Sequence, residues 1–172
     1  MDLRKFIRNV PDFPKAGVGF KDITTLWKDS KAFKESINIL YERYKGKKIS
    51  KVVGAESRGF IVGGPLAYLL NAGFVPVRKK GKLPCKQIEV TYELEYGTDT
   101  LAIHEDAIDR GENVLIVDDL LATGGTLKAM IEIVELLGGN LIEAAFLVEL
   151  EFLGGKEGIN EPVFSIVKYS EE

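Results

Sequence analysis

Apolar runs alternate with amphipathic stretches along this chain, and the alternation predicts strands and helices in turn. Short runs rich in aliphatic residues predict strands at 49–55, 74–77, 114–117, 141–148 and 163–169. Apolar residues at helical spacing, and Gly stop signals, predict helices at 31–45, 60–71 and 126–137. Strands that alternate with helices in this way indicate an α/β fold with a parallel sheet and right-handed crossovers.

Two segments depart from this alternation. Residues 87–96 and 100–104 alternate apolar and polar positions around Gly97, which predicts a hairpin or the two arms of a long excursion. Before about residue 30, prolines and glycines punctuate the chain and predict a short helix followed by an irregular loop or short strand. No linker composition appears anywhere, so we expect one domain over 1–172, with about 1–30 as its distinct N-terminal part.

Composition narrows the possible partners. The chain has 172 residues, of which 45% are hydrophobic and 28% charged, and its net charge is −3. This acidic balance argues against a general nucleic-acid binder, and no apolar run reaches the length of a membrane helix. We also expect no signal peptide, and the single cysteine, Cys85, makes a reducing cytoplasm the simplest setting.

The strand at 114–117 leads into the pattern with the clearest chemistry. Asp118 and Asp119 follow it, and then a Gly-rich, hydroxyl-rich turn at 122–126 opens a helix. Backbone N–H groups in such a turn, together with the helix dipole, suit a phosphate. Ionised carboxylates only accept hydrogen bonds, so they need hydroxyls, a cation or N–H donors. A ribose 5-phosphate with a metal ion satisfies both the turn and the carboxylates. The alternative is an ordinary turn capped by Thr123, but it leaves the carboxylates unexplained.

Two further segments carry positive charge. Arg58 lies in a small-residue turn at 54–60, where its guanidinium could bind a second anion; an ordinary turn with a surface arginine is the alternative. A basic run at 78–86, with Gly81 and Pro84, predicts a mobile loop that could close over a polyanion. A solvated surface is the alternative for that run.

A last candidate is the acidic segment 93–97, at the far end of the excursion. A carboxylate there could act as a general acid on a closing loop, although residue chemistry alone favours an exposed turn.

Taken together, these motifs resemble those of the type I phosphoribosyltransferases, and among them the adenine phosphoribosyltransferase family. The similar segments follow the family's order and cover nearly the whole chain: 11–14, 17–24, 56–60, 78–84, 94–97 and 118–126. The resemblance implies a parallel-sheet core with flanking helices, a small N-terminal hood and a flexible loop excursion. It also implies a homodimer.

The implied reaction condenses adenine with phosphoribosyl pyrophosphate (PRPP), giving AMP and pyrophosphate in purine salvage. Mg²⁺ is the implied cofactor, held mainly by substrate and water rather than directly by the protein. Two alternatives stay open: transfer to another purine base, and a non-catalytic regulator that senses PRPP.

The resemblance also implies roles for individual residues. The PRPP-binding residues would be Ser57, Arg58, Gly59, Lys79, Lys82, Asp118, Asp119, Ala122, Thr123, Gly124, Gly125 and Thr126. The adenine-binding residues would be Gly19, Phe20, Lys21 and Leu120: backbone groups around Gly19–Lys21 would bind the base, with Phe20 and Leu120 as its apolar neighbours. The catalytic residues would be Arg58, Glu95 and Tyr96, with Glu95 as the acid near the adenine ring.

Overall fold

The computed structural model describes residues 1–13, 15–16, 19–94 and 97–171. Within these ranges the elements are, in chain order, β1 (Arg8–Val10), β2 (Phe20–Asp22), α1 (Thr24–Lys28), α2 (Ser30–Tyr44), β3 (Lys51–Ala55), α3 (Arg58–Leu70), β4 (Gly73–Lys79), β5 (Gln87–Glu93), β6 (Thr98–His104), β7 (Asn113–Leu121), α4 (Gly125–Leu137), β8 (Asn140–Leu150) and β9 (Val163–Tyr169). Short 3-10 turns form at Leu3–Phe6 and Glu151–Leu153. The predicted alternation of strands and helices is confirmed.

A seven-stranded sheet organises the molecule, in the order β5-β6-β4-β3-β7-β8-β9. The five strands from β4 to β9 in this order run parallel, whereas β5 and β6 form an antiparallel hairpin at one edge. The predicted parallel sheet and hairpin are therefore both confirmed. Because β3 and β7 are neighbours, the turns that follow their carboxyl ends lie side by side, where ligands bind in such sheets.

Helices cover both faces of the sheet, as a parallel sheet requires. Buried residues of α2 and α3, among them Leu40 and Leu66, pack on one face with Val52 of β3. Met130 and Ile133 of α4 belong to a second cluster, which covers the other face. Each fully buried aliphatic side chain contributes about 1.5–3 kcal/mol, so these two layers hold the strand ends in fixed positions.

Strand β7 is longer than the apolar run that predicted it. The prediction ended at Val117, but pairing with β8 continues to Leu121, which lies opposite Glu149. Backbone pairing does not depend on apolar side chains, so Asp118 and Asp119 belong to the strand rather than to the turn after it. The two carboxylates are consequently held by the rigid sheet.

Other boundaries differ by smaller amounts. Strand β4 continues beyond the predicted end at Val77 to Lys79, because its last two residues pair with β6. Helix α3 begins at Arg58 rather than at Phe60, and α4 begins at Gly125 rather than at Thr126. Each shift moves a candidate charged or phosphate-binding residue onto a regular element.

The N-terminal part forms its own small sheet, in which β1 and β2 pair antiparallel. Arg8 of β1 binds Asp22 of β2, with Nε 3.1 Å from Oδ2. The predicted short helix and short strand are found here as the first 3-10 turn and β1. No helix within the described ranges is both long and apolar enough to cross a bilayer.

Candidate active site

A cavity of about 400 Å³ opens at the carboxyl ends of β3 and β7. Ten of the residues predicted to bind substrate line it: Arg58, Lys79, Asp118, Asp119, Leu120, Ala122, Thr123, Gly124, Gly125 and Thr126. These residues are separated in sequence, and the sheet brings them to one place. The cavity is therefore the candidate site.

One wall is the turn from β7 into α4, residues 122–126, which we call the phosphate loop. Its Gly124 has φ +85° and is the residue before the first turn of α4. Glycine adopts this left-handed backbone without a steric cost, and as a cap it has no side chain to occupy the first N–H groups of the helix. The loop thus presents a helix N-terminus to the cavity, where an anion is stabilised.

The phosphate loop is pressed against a second glycine turn. A Cβ on Gly124 would lie 2.1 Å from the carbonyl oxygen of Gly155, and a Cβ on Gly155 would lie 2.3 Å from that of Ala122. Only glycines allow two backbones to approach so closely. Sequence reasoning missed this contact, although the adjacent glycines at 154 and 155 were a visible signal.

The β5–β6 hairpin supports the other side of the loop. The hydroxyl oxygens of Tyr92 and Thr126 lie 3.3 Å apart, and a Cβ on Gly125 would lie 3.2 Å from the Tyr92 ring. Tyr92 also lines the cavity, and sequence reasoning assigned it no role. The predicted excursion thus returns to the site and closes one side of it.

The adjacent carboxyl groups of Asp118 and Asp119 lie side by side in the site. Asp119 is buried, and its Oδ2 lies 3.1 Å from Nε of Arg58 but accepts no hydrogen bond from the described residues. Asp118 Oδ1 accepts a hydrogen bond of 2.9 Å from the Asp119 N–H. Burial, and then the charge of Asp119, raise the pKa of Asp118 well above its ordinary value. Burial also raises the pKa of Asp119, against the opposing effect of Arg58.

The turn between β3 and α3 brings Arg58 to these carboxylates. Gly59 makes the approach possible, because a Cβ there would lie 3.0 Å from Asp118 Oδ1 and 3.1 Å from the Val117 carbonyl oxygen. Ser57 is the residue before the first turn of α3. Ser57 and Gly59 flank Arg58 without being among the described cavity-lining residues.

Both predicted lysines lie in ion pairs beside the cavity. Lys79 Nζ lies 2.9 Å from Asp99 Oδ2, and Lys82 Nζ lies 3.0 Å from Glu56 Oε2. Burial opposes the ionisation of Glu56, but the Lys79 N–H and the Lys82 ammonium outweigh it and lower the pKa of this carboxyl. Glu56 and Asp99 hold the two lysines beside the cavity, where an anionic ligand could take the place of these carboxylates. Sequence reasoning missed both ion pairs.

The predicted adenine-binding residues do not all reach the cavity. Leu120 lines it, whereas Gly19, Phe20 and Lys21 are not among its described lining residues. The Phe20 ring packs edge-on against Phe13, and the buried Lys21 donates a hydrogen bond of 3.0 Å from Nζ to Asn9 Oδ1. The adenine contacts predicted around Gly19–Lys21 use backbone groups, so these side-chain positions leave that prediction untested.

Glu95 and Tyr96 lie outside the residues that the structure describes. Their neighbour Leu94 lines the cavity. The roles predicted for both residues stay predictions.

Comparison with known proteins agrees with this geometry. Residues 23–170 match the family model described as the phosphoribosyl transferase domain. The chain is 56% identical over 169 residues to the adenine phosphoribosyltransferase of Geotalea daltonii, covering 98% of this chain and 99% of that protein. The predicted resemblance is confirmed at the level of the family.

Solved structures agree as well. The adenine phosphoribosyltransferase of Thermoanaerobacter pseudethanolicus superposes with a TM-score of 0.93 at 51% identity, covering 98% of each chain. The Saccharomyces cerevisiae enzyme, solved with adenine and an imino-altritol bisphosphate, gives a TM-score of 0.92 at 43% identity, covering 96% of each chain. On this sequence and structural evidence, the chain belongs to the adenine phosphoribosyltransferases, a family of pentosyltransferase enzymes.

Proposed function

We propose that this protein transfers the 5-phosphoribosyl group of PRPP to adenine in the cavity between β3 and β7, releasing AMP and pyrophosphate. The observation that carries this proposal is the meeting of the phosphate loop, the Asp118–Asp119 pair and Arg58 around one cavity. The loop supplies hydrogen-bond donors for a phosphate, and the carboxylates accept hydrogen bonds from sugar hydroxyls. The guanidinium supplies a cation for a diphosphate. The adenine bound in the yeast relative supports adenine as the base.

Each part of PRPP has a complementary part of the site. The phosphate loop binds the 5-phosphate through backbone N–H groups at the start of α4. Asp118 and Asp119 accept hydrogen bonds from the ribose hydroxyls, which relieves the repulsion between the two buried carboxylates. The pyrophosphate binds the turn of Ser57, Arg58 and Gly59, with Lys79 and Lys82 exchanging their carboxylate partners for it.

The reaction breaks the bond between the anomeric carbon and the pyrophosphate oxygen. Positive charge develops on the ribose and negative charge on the leaving group, which the Arg58 guanidinium stabilises. The phosphate loop holds the sugar in line with the attacking adenine nitrogen, beside Leu120. Backbone groups around Gly19–Lys21 in the N-terminal hood complete the adenine site. Glu95 shares the proton on the other imidazole nitrogen of adenine and takes it up as the new C–N bond forms, and Tyr96 closes over the site with it.

Mg²⁺ fits this site as a partner of the substrate. Within the described ranges no group of three or more His, Cys, Asp and Glu residues is placed to hold a metal ion. Asp119 Oδ2, which is buried and accepts no hydrogen bond from the described residues, would lie beside a Mg²⁺ ion that substrate phosphates and water mainly hold. When bound, the ion neutralises charge on the departing pyrophosphate.

The proposal includes a homodimer, supported by the surface of α3. Ile61, Tyr68 and Leu69 recur at helical spacing on this helix, and all three are exposed, Tyr68 to 85%. The same helix begins with Arg58, so pairing of two copies across α3 adds rigidity near the catalytic cavity. A second copy of this chain is the partner that this apolar face fits.

Tyr68→Glu is expected to shift the protein from dimer to monomer in sedimentation velocity, because it places a charge in the apolar contact. Leu136→Glu is the matched control, since Leu136 is an exposed leucine on α4, which packs on the opposite face of the sheet. An unchanged sedimentation coefficient for Tyr68→Glu would refute pairing through α3.

We also infer that the protein works in the cytoplasm. Cys85 is the single cysteine of the chain and is exposed as a free thiol. Because one cysteine cannot form an intramolecular disulfide, an oxidising compartment would add no disulfide crosslink within the fold.

Glu95→Gln is expected to lower kcat by about 100-fold, the usual effect of losing a general acid or base. The KM for PRPP should stay within about twofold, because Glu95 acts at the base. Glu93→Gln is the control, since Glu93 is an exposed carboxylate two positions earlier in the chain, at the end of β5. Initial-rate kinetics decide, and a Glu95→Gln enzyme with wild-type kcat would remove Glu95 as the acid.

A coupled assay of pyrophosphate release, with PRPP, Mg²⁺ and each purine base in parallel, tests the proposed function. Release with adenine alone is the expected result. Release with hypoxanthine, guanine or xanthine instead would keep the chemistry and overturn the assignment of the base. A folded protein that binds PRPP but releases no pyrophosphate with any base would be a sensor.

A further inference from the structure

The end of β8 carries an ion pair outside the cavity, between a buried carboxylate and a half-buried lysine. Glu149 is the next-to-last residue of this strand, and its side chain is only 6% exposed. Its Oε2 lies 2.8 Å from Lys156 Nζ and 3.9 Å from Lys168 Nζ. In the sheet, Glu149 pairs with Leu121, the last residue of β7 before the phosphate loop.

Lys156 connects this ion pair to the back of the phosphate loop. The residue before it, Gly155, is the one whose carbonyl oxygen would lie 2.1 Å from a Cβ on Gly124. Gly155 is buried there, against Gly124 on one side and Ala122 on the other. Moving Lys156 therefore moves the backbone on which the phosphate loop rests.

The ion pair is a poor candidate for simple stabilisation. Burying the Glu149 carboxylate costs free energy that offsets its attraction to the partly exposed Lys156, so such a pair contributes little net stability. Glu149 Oε2 also accepts no well-aligned hydrogen bond from the described residues. What the pair does supply is a fixed distance between β8 and the turn that carries Gly155.

We propose that Glu149 and Lys156 are positioning residues that hold Gly155 against the phosphate loop and so set the affinity for the phosphate of PRPP. The proposal rests on the proposed function of that loop. Neither residue touches the substrate, since neither lines the cavity within the described ranges. Their effect should consequently be specific to the phosphate end of the site and absent at the adenine end.

Glu149→Gln, Lys156→Met and the double variant test this inference by calorimetric titration of PRPP without adenine, followed by initial-rate kinetics. Each single variant is expected to weaken PRPP binding about tenfold, since small misplacements of binding groups have effects of this order. The KM for adenine should stay within about twofold. The double variant should match the single ones, because both disrupt one connection. Lys156→Met keeps the test decisive if Glu149→Gln folds poorly.

Glu143→Gln is a matched control at the other end of the same strand. Glu143 is also only 6% exposed, and it binds Arg43 at 2.7 Å, far from the phosphate loop. Its loss should lower the melting temperature and leave PRPP affinity unchanged. Wild-type PRPP affinity in both single variants, or equal losses for PRPP and adenine, would overturn the inference. An inactive wild type would count against the proposed function, while the calorimetric comparison still decides the positioning role.

Discussion

Gly124→Ala is expected to lower kcat/KM for PRPP by about 100-fold or more, while the protein still folds. The new Cβ would lie 2.1 Å from the Gly155 carbonyl oxygen, so the two turns must separate and the phosphate loop must move. The backbone at φ +85° adds strain, because side chains rarely adopt this conformation. Together these effects should lower the free energy of unfolding by about 1–3 kcal/mol, less than the stability of most domains. Initial-rate kinetics and thermal melting measure the two effects separately.

Gly111→Ala separates backbone strain from the steric clash. Gly111 has nearly the same backbone, with φ +84°, but a Cβ there meets nothing within 4 Å. It precedes the amino end of β7, whereas Gly124 follows the carboxyl end. This control should lose about 1 kcal/mol of stability and keep wild-type kinetics. If both variants bound PRPP equally well, the close contact between Gly124 and Gly155 would have no role in shaping the loop.

The paired substitution Asp118→Asn with Asp119→Asn is expected to weaken PRPP binding by about 10- to 100-fold. Hydrogen bonds from ribose hydroxyls to a carboxylate are worth about 1.5–3 kcal/mol, and a neutral amide oxygen supplies only part of this. Isothermal titration calorimetry with PRPP and Mg²⁺ measures the loss. Retained affinity would contradict the assignment of the ribose hydroxyls to these carboxylates.

Stability should change in the opposite direction at this pair. Burial raises the pKa of Asp118, so the folded protein binds its proton more tightly than the unfolded chain does. Stability therefore falls as the pH rises from 3.8, the ordinary value, through the folded-state pKa of Asp118, and Asp118→Asn alone should raise the free energy of unfolding near pH 7. At Asp22 the pH dependence of stability has the opposite sign, because Thr24 and Arg8 lower the pKa of this carboxyl to about 2. Its carboxylate stabilises the fold above pH 3.8, an effect lost as the pH falls towards 2, so Asp22→Asn should destabilise the protein at pH 7.

The parts of the site that were predictable from sequence are those encoded locally. An apolar strand, two acids and a Gly-rich turn are contiguous between Val114 and Thr126, so their order along the chain already fixes their order in space. The placement of Arg58 beside this turn was predictable because parallel strands end at the same edge of a sheet. The adjacency of β3 and β7 confirmed that the two turns meet.

The parts that sequence reasoning missed depend on contacts between distant segments. Gly155 contacts Gly124 only because β8 lies beside β7, and no local pattern encodes that approach. Glu56 and Asp99 bind Lys82 and Lys79 through the placement of the basic segment, which periodicity does not determine. The length of β7 was underestimated for a related reason. Its backbone pairing with β8 continues through residues with polar side chains, which the apolar pattern does not reveal.

A crystal structure of the protein with AMP and pyrophosphate bound tests the central claim most directly. The account predicts the 5-phosphate against the backbone N–H groups of the phosphate loop and the ribose hydroxyls on Asp118 and Asp119. It places the pyrophosphate on Arg58 and the adenine ring beside Leu120. A nucleotide bound outside this cavity, or one whose ribose hydroxyls point away from both carboxylates, would contradict it.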